Sequence, residues 1–360
     1  MNQKLRDRLK RLSLFFTLAL AAFLLLEGLS SSIYFLRAVA KSSILSERAH
    51  TRYDKELGWS HIPDLFIKDM YGRGLDLSIN SQGFRGRETY SQSVPNGKTR
   101  IITSGDSFTL GLGVADDAAW GQQLASGNDC LQVVNMGQSG YGIDQAYLWY
   151  MRDGIKLEHD IHIFAFIQDD LRRMKYPAFH GYGRPVLRMQ NGKLVTENVP
   201  VPRRAISRPR LTYAKRLLKH LSTAKILRSL LRRLSAKAAP GPVHSSDNEI
   251  YEVMLRIFES LDEVNKRKNS VLVVVYLPAK DDRLENGTFP LRKYLQAELA
   301  ARRILFVDAA EEFDQLSKEE FNRLFLRGNA HYTKEGQKLV ADILRQRLLA
   351  FPETAEKAAQ

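Results

Sequence analysis

Two periods of hydrophobic and polar residues alternate along most of this chain. Short unbroken apolar runs have the length and β-branched content of buried strands. They are "TRIIT" (99–103), "CLQVVN" (130–135), "IHIFAFI" (161–167), "SVLVVVYL" (270–277) and "ILFVD" (304–308). Between them, apolar residues recur at helical spacing in "DDAAWGQQLA" (116–125), "DQAYLWYMRDG" (144–154), "NEIYEVMLRIFESLDEVNKR" (248–267), "FPLRKYLQAELAAR" (289–302) and "TKEGQKLVADILRQRLL" (333–349). Strands buried on both faces and separated by helices predict an α/β fold with a parallel sheet. In such sheets ligands bind at the carboxyl ends of the strands.

Three regions break the alternation. Residues 12–36 are mostly apolar, interrupted by Glu27, and follow the basic tail "MNQKLRDRLKR" (1–11). Two readings compete. One is an uncleaved single-pass anchor with its basic end in the cytoplasm. The other is a signal peptide cut after "AVA" at Ala40. Both put the rest of the chain on the far side of the inner (cytoplasmic) membrane. Residues 37–98 form a polar lead-in with turn signals at "LGWSHIPD" and "SINSQGFRGRE". Between the third and fourth strands lies an insert, 180–247. It opens on a hairpin signal around Asn191-Gly192. Residues 203–237 of it contain twelve Lys/Arg and no Asp or Glu, with leucines at helical spacing. That pattern predicts a basic amphipathic helix or helix pair suited to membrane lipid. The α/β domain is expected over 99–350, and 351–360 is a tail.

The 360 residues carry a net charge of +14 and a single cysteine. The charge suggests anionic partners. An extracytoplasmic fold makes nucleic acid a poor one. Cys130 can form no intrachain disulfide, and beside an apolar strand it is expected to be buried and inert.

The first strand ends in "TSGDSFTLGLGV" (103–114). This is either a tight strand-to-helix turn that happens to contain a serine, or a turn built to present Ser107 as a nucleophile. A serine hydroxyl needs a base close in space. Of the eight histidines, His331 in "GNAHYTKEG" lies in a loop opening the last helix, where it can point back over the sheet edge. His159 and His162 flank a strand start, and His162 is read as structural. Acyl transfer also needs donors for an oxyanion. The glycines of "NMGQSGYG" (135–142), after the second strand, allow a close backbone approach or a plain tight turn. "FIQDDL" (166–171), after the third, brings Gln168, Asp169 and Asp170 to the same edge.

Taken in order, these four blocks resemble the SGNH hydrolases, also called the GDSL esterase/lipase superfamily. "YDKELGWSHIPD" and "INSQGFRGRE" are similar to the lead-in of a membrane-anchored bacterial branch. The resemblance covers about residues 53–349, poorly in the insert. It implies a flavodoxin-like three-layer α/β/α fold, with Ser107 as nucleophile and His331 as base. It also implies the N–H groups of Ser107 and Gly140 as oxyanion donors. Asp106 and Gln168 are counted with Gly140 as substrate-contacting residues. No metal or organic cofactor is implied.

The sequence departs from the family pattern twice. Asp169 stands where an asparagine donor is expected, and Asn329 or Gly328 where a carboxylate supports the histidine. Losing an oxyanion donor costs roughly 10²–10³ in rate. Exchanging a triad Asp for Asn costs about 10⁴ in serine proteases. Gln168 supplying an amide, a backbone carbonyl orienting His331, or Asp169 reaching His331 would offset these losses. The expected function is a serine esterase or acyltransferase acting on acylated envelope polysaccharide or a lipid ester. The alternative is a catalytically weakened domain that binds glycan or envelope assembly proteins.

Overall fold

The computed structural model describes residues 3–40, 49–179, 182–202, 247–282 and 290–359. The chain divides into two compact units. The described part of the first is one helix, α1 (Gln3–Ala40), which runs unbroken through Glu27 and Gly28. Its segment Arg6–Leu29 has 24 residues, and the most apolar stretch within it has a mean hydropathy of 2.2 with none of it buried. At about 1.5 Å per residue it is long enough to cross a hydrocarbon core of about 30 Å. The basic stretch 203–237 lies outside the described residues.

The second unit begins with the lead-in, where β1 (Thr51–Asp54) pairs antiparallel with β2 (Gly58–His61), and β3 (Leu65–Ile67) with β4 (Leu77–Ile79). Next come β5 (Thr99–Gly105), β6 (Leu131–Gly137) and β7 (Ile161–Phe166), then two antiparallel pairs. These are β8 (Ala178–Phe179) with β9 (Tyr182–Gly183), and β10 (Val186–Gln190) with β11 (Lys193–Glu197), the expected hairpin. β12 (Val271–Tyr276) and β13 (Leu305–Asp308) complete the central sheet, whose order is β13-β12-β7-β5-β6. All its pairings are parallel. Numbered by appearance, its strands run 2-1-3-4-5, the flavodoxin-like order.

The strand pleat sends alternate residues to opposite layers. Ile102, Phe164 and Val274 face a layer that includes α4 (Ile143–Arg152), α6 (Asp247–Arg267) and α7 (Pro290–Ala301). Ile101, Ile163 and Val273 face one that includes α3 (Trp120–Ala125) and α10 (Lys334–Ala350). Further α-helices among the described residues are α2 (Ser107–Leu110), α5 (Gln168–Met174), α8 (Ala310–Asp314), α9 (Lys318–Arg323) and α11 (Pro352–Ala359).

The lead-in is part of the core. Arg85 is fully buried. Its guanidinium donates to Asp116 Oδ1 at 3.0 Å, to the carbonyls of Gly111 and Val114 at 2.6 Å, and to that of Leu110. It therefore braces the loop that follows Ser107. The tail is held too, since Thr99 Oγ1 donates to the Lys357 carbonyl at 2.9 Å. Cys130 departs from expectation: it is exposed, because it lies in the turn before β6 and not in the strand. His162 is buried as a structural residue. It sits 2.9 Å from Ser104 Oγ and stacks on Tyr150 at 3.8 Å.

Candidate active site

Every residue of β5 is buried, and the chain leaves it at the point where the strand order reverses. Crevices form at such switch points. Gly105 closes the strand because a Cβ there would lie 2.3 Å from the Ala165 carbonyl oxygen. Asp106 is extended, and its Oδ1 accepts the Phe108 N–H at 2.8 Å, capping α2. Ser107 is therefore the first helical residue, lifted to the end of the sheet.

His331 arrives from the loop before α10. Its neighbours fix it. Tyr332 is fully buried and donates its hydroxyl to the Pro278 carbonyl at 2.6 Å. The His331 carbonyl accepts the Leu326 N–H at 2.8 Å. The imidazole packs on the Phe108 ring with centroids 4.9 Å apart. His331 Nε2 lies 2.7 Å from Ser107 Oγ, and Nδ1 meets Asn329 Oδ1. That oxygen also accepts the His331 backbone N–H at 3.2 Å. A backbone N–H can only donate, so the oxygen of the amide faces the ring. Nδ1 then carries the proton, and Nε2 is left to accept the Ser107 O–H. Burial lowers the imidazole from 6.5 to about 4; Asp106 opposes this and Arg173 adds to it. The ring is thus a neutral base at pH 7.

A cavity of about 500 Å³ opens over this pair, lined among others by Gly140, Gln168, Asp169, Tyr176 and Phe179. Gly140 has φ +79°, a left-handed conformation, and a Cβ would meet the Phe179 ring at 2.8 Å. Among the described residues, the N–H groups of Ser107 and Gly140 have no acceptor. The Gln168 amide has no partner among them either. The arrangement can take a proton from a hydroxyl and offer N–H donors to an anion beside it.

Two sequence expectations change. Asp106 does not line the cavity; it is buried beneath it, where its Oδ2 meets Arg173 at 3.1 Å. Asp169 does not reach His331. Its exposed carboxylate pairs with Arg172 at 3.1 Å, one turn along α5. Neither Asp169 nor a backbone carbonyl orients the imidazole, because the Asn329 side chain already does. Asp170 is the buried acid of "QDD": it accepts the Ile167 N–H at 3.0 Å and pairs with Arg173. Sequence reasoning passed over Arg173. The i, i+3 spacing of Asp170 and Arg173 was the signal available.

No protein-family model matches this chain, and no curated protein does. Among solved structures, it is similar to a candidate lipolytic protein of the G-D-S-L family from Desulfitobacterium hafniense. Identity is 15%, covering 69% of this chain and 99% of that one, with a TM-score of 0.41. It is also similar to a member of the lipolytic G-D-S-L family from Veillonella parvula, at 12% identity over 69% and 97%, TM-score 0.37. A third is the lipase/acylhydrolase from Enterococcus faecalis, at 12% identity over 70% and 96%, TM-score 0.39. Likeness at this level says nothing of activity.

Proposed function

We propose that this chain is an SGNH-type serine ester hydrolase or acyltransferase. One observation carries the reading. A serine hydroxyl lies 2.7 Å from an imidazole nitrogen whose partner nitrogen is held by an amide oxygen. Ser107 Oγ attacks the carbonyl carbon of an ester. As the Oγ–C bond forms, the hydroxyl proton passes to His331 Nε2 and the carbonyl electrons move onto oxygen. The N–H groups of Ser107 and Gly140 stabilise that oxyanion, with the Gln168 amide as third donor. Collapse of the intermediate breaks the bond to the leaving oxygen, which takes the proton from Nε2. Water or a sugar hydroxyl then attacks the acyl-serine, again deprotonated by His331, and Ser107 is released.

The α1 helix serves as a single-pass anchor with the catalytic domain on the periplasmic side, by the positive-inside rule. A net charge of +14 and a membrane tether suit an acylated envelope glycan or a lipid ester as substrate. Hydrolysis of an activated aryl ester tests the reading. Turnover should vanish in Ser107→Ala and fall sharply in His331→Ala. Equal turnover in Ser107→Ala would overturn it.

A second reading rests on Asn329. Among the described residues, no carboxylate hydrogen-bonds His331. A domain so weakened would bind acylated glycan or an assembly partner without turning it over. Binding of an acylated oligosaccharide that is recovered intact would favour it.

A further inference from the structure

Asn329 holds the imidazole in the tautomer Ser107 needs, but an amide brings no charge. The imidazolium that forms during acylation has no anion at Nδ1. The other side of the ring is different. Ser107 Oγ lies 2.7 Å from His331 Nε2 and 3.3 Å from Asp106 Oδ2, so one hydroxyl separates the imidazole from a buried carboxylate. That carboxylate is fixed by the Phe108 N–H on Oδ1 and by Arg173 on Oδ2.

Arg173 is shared. It also donates to Asp170 and, at 2.7 Å, to the Tyr141 carbonyl. Asp170 accepts the Ile167 N–H on its other oxygen. Both its oxygens are thus engaged. Burial and the facing Asp106 hold Asp170 well above the usual carboxylate range, against Arg173 and the Ile167 N–H. Two carboxyl groups thus share one guanidinium beside the Ser-His pair. Arg173 is therefore not committed to Asp106 alone. The other charged groups lining the cavity are Asp169, Arg172, Asp281 and Asp282. Asp169 and Arg172 neutralise each other in the open. Asp282 accepts the Tyr276 hydroxyl at 2.6 Å and the Ala279 N–H at 2.9 Å, and Asp281 stands next to it.

We propose that Asp106 supplies the His331 imidazolium, from the serine side of the ring, with the negative charge that Asn329 lacks. The proposal rests on the esterase reading of Ser107. With the single Ser107 proton directed at Nε2, Asp106 Oδ2 lies beside the reacting oxygen without a hydrogen bond from it and acts through its charge; Arg173 and Asp170 are positioning residues that act through Asp106. The direction in which Asp106 moves the imidazole, toward greater basicity, agrees.

Asp106→Asn isolates the charge, because asparagine caps a helix about as well as aspartate. Asp170→Asn weakens the second partner of Arg173 and turns the guanidinium toward Asp106 from outside the turn, and it guards against a misfolded Asp106 variant. Two readouts are needed, on the full chain, these variants, Asn329→Asp and the Asp106→Asn/Asn329→Asp double. One is the acylation rate with an activated aryl ester, and the other the His331 pKa by NMR. Asp106→Asn should lower the pKa by about one unit and slow acylation by about tenfold. Asp170→Asn should move both the same way. The Asp106→Asn rate loss should shrink where Asn329→Asp puts a carboxylate on Nδ1. An unmoved pKa, or the same loss in both backgrounds, overturns the proposal. If the parent chain is never acylated but Asp106→Asn still lowers the pKa, the esterase reading fails and the electrostatic role stands.

Discussion

The Trp59 indole N–H donates to the Ser139 carbonyl at 3.0 Å, across eighty residues of chain, and Ser139 immediately precedes Gly140. Tyr141 answers with its hydroxyl on the Trp59 carbonyl at 2.5 Å. The lead-in therefore sets the position of one of the two free N–H groups over Ser107. Trp59→Phe keeps the ring and removes the donor. The Ser139 carbonyl then loses a buried partner, which costs about 1–3 kcal/mol. Urea unfolding should show that loss, and aryl-ester turnover should fall by more than the folded fraction does.

Placing the residues of the SGNH pattern at positions 329 and 169 separates the two departures. Asn329→Asp adds a charge at Nδ1 and should raise acylation, by up to about 10⁴ if that charge is the whole deficit. Asp169→Asn should leave acylation unchanged or raise it, because Asp169 contacts Arg172 and not the imidazole. Loss of activity in Asp169→Asn, rescued by Asn329→Asp, would mean that Asp169 moves onto His331 during the reaction. Stopped-flow acylation rates on the three variants distinguish these outcomes.

The pH profile follows from His331. Its pKa is lowered to about 4, so the neutral base persists well below the usual histidine range. Acylation should hold steady from pH 8 down to about 5 and fall as pH drops through about 4, where Nε2 becomes protonated and can no longer accept the Ser107 proton. The measurement is the pseudo-first-order acylation rate against pH. An acid limb centred near 6.5 would show an unperturbed histidine.

Stability should carry a related signature from the lead-in. Burial lowers His50 to about 4 and His61 to about 3, with nearby positive charge adding to the effect. The unfolded chain binds protons at these residues from about 6.5 downward, while the folded chain does not. Folded-state stability therefore falls as pH drops from 6.5 toward 4, by about 1.4 kcal/mol per pH unit for each such histidine. Urea midpoints at pH 7 and pH 5 report it, and His61→Gln should flatten the slope.

Much of the framework was legible because it is local. The β12 run "VLVVVY" reads as a strand from its own residues, and α6 from its own spacing. The Ser107 and His331 candidates were legible as strand-end and helix-start loops, and the structure brings them to 2.7 Å. The fate of each acid in "QDD" was not. Neighbouring helical residues point about 100° apart, so the start of α5 decides which carboxylate is exposed and which is buried. Asp169 faces out and Asp170 in, and no local pattern fixes that. The roles of Arg85, Trp59 and Asp106 depend on contacts with distant segments. Cys130 was misjudged because the strand begins one residue later than its apolar neighbours suggest.

A Ser107 nucleophile activated by His331 should be captured covalently by a serine-reactive reagent. Intact-mass and peptide mapping after exposure to a fluorophosphonate measure this directly, because the reagent is retained on an activated serine whatever the natural substrate. The expected result is one adduct, on Ser107, absent in Ser107→Ala and strongly slowed in His331→Ala. No adduct on the folded chain, or an adduct that persists in Ser107→Ala, would contradict it.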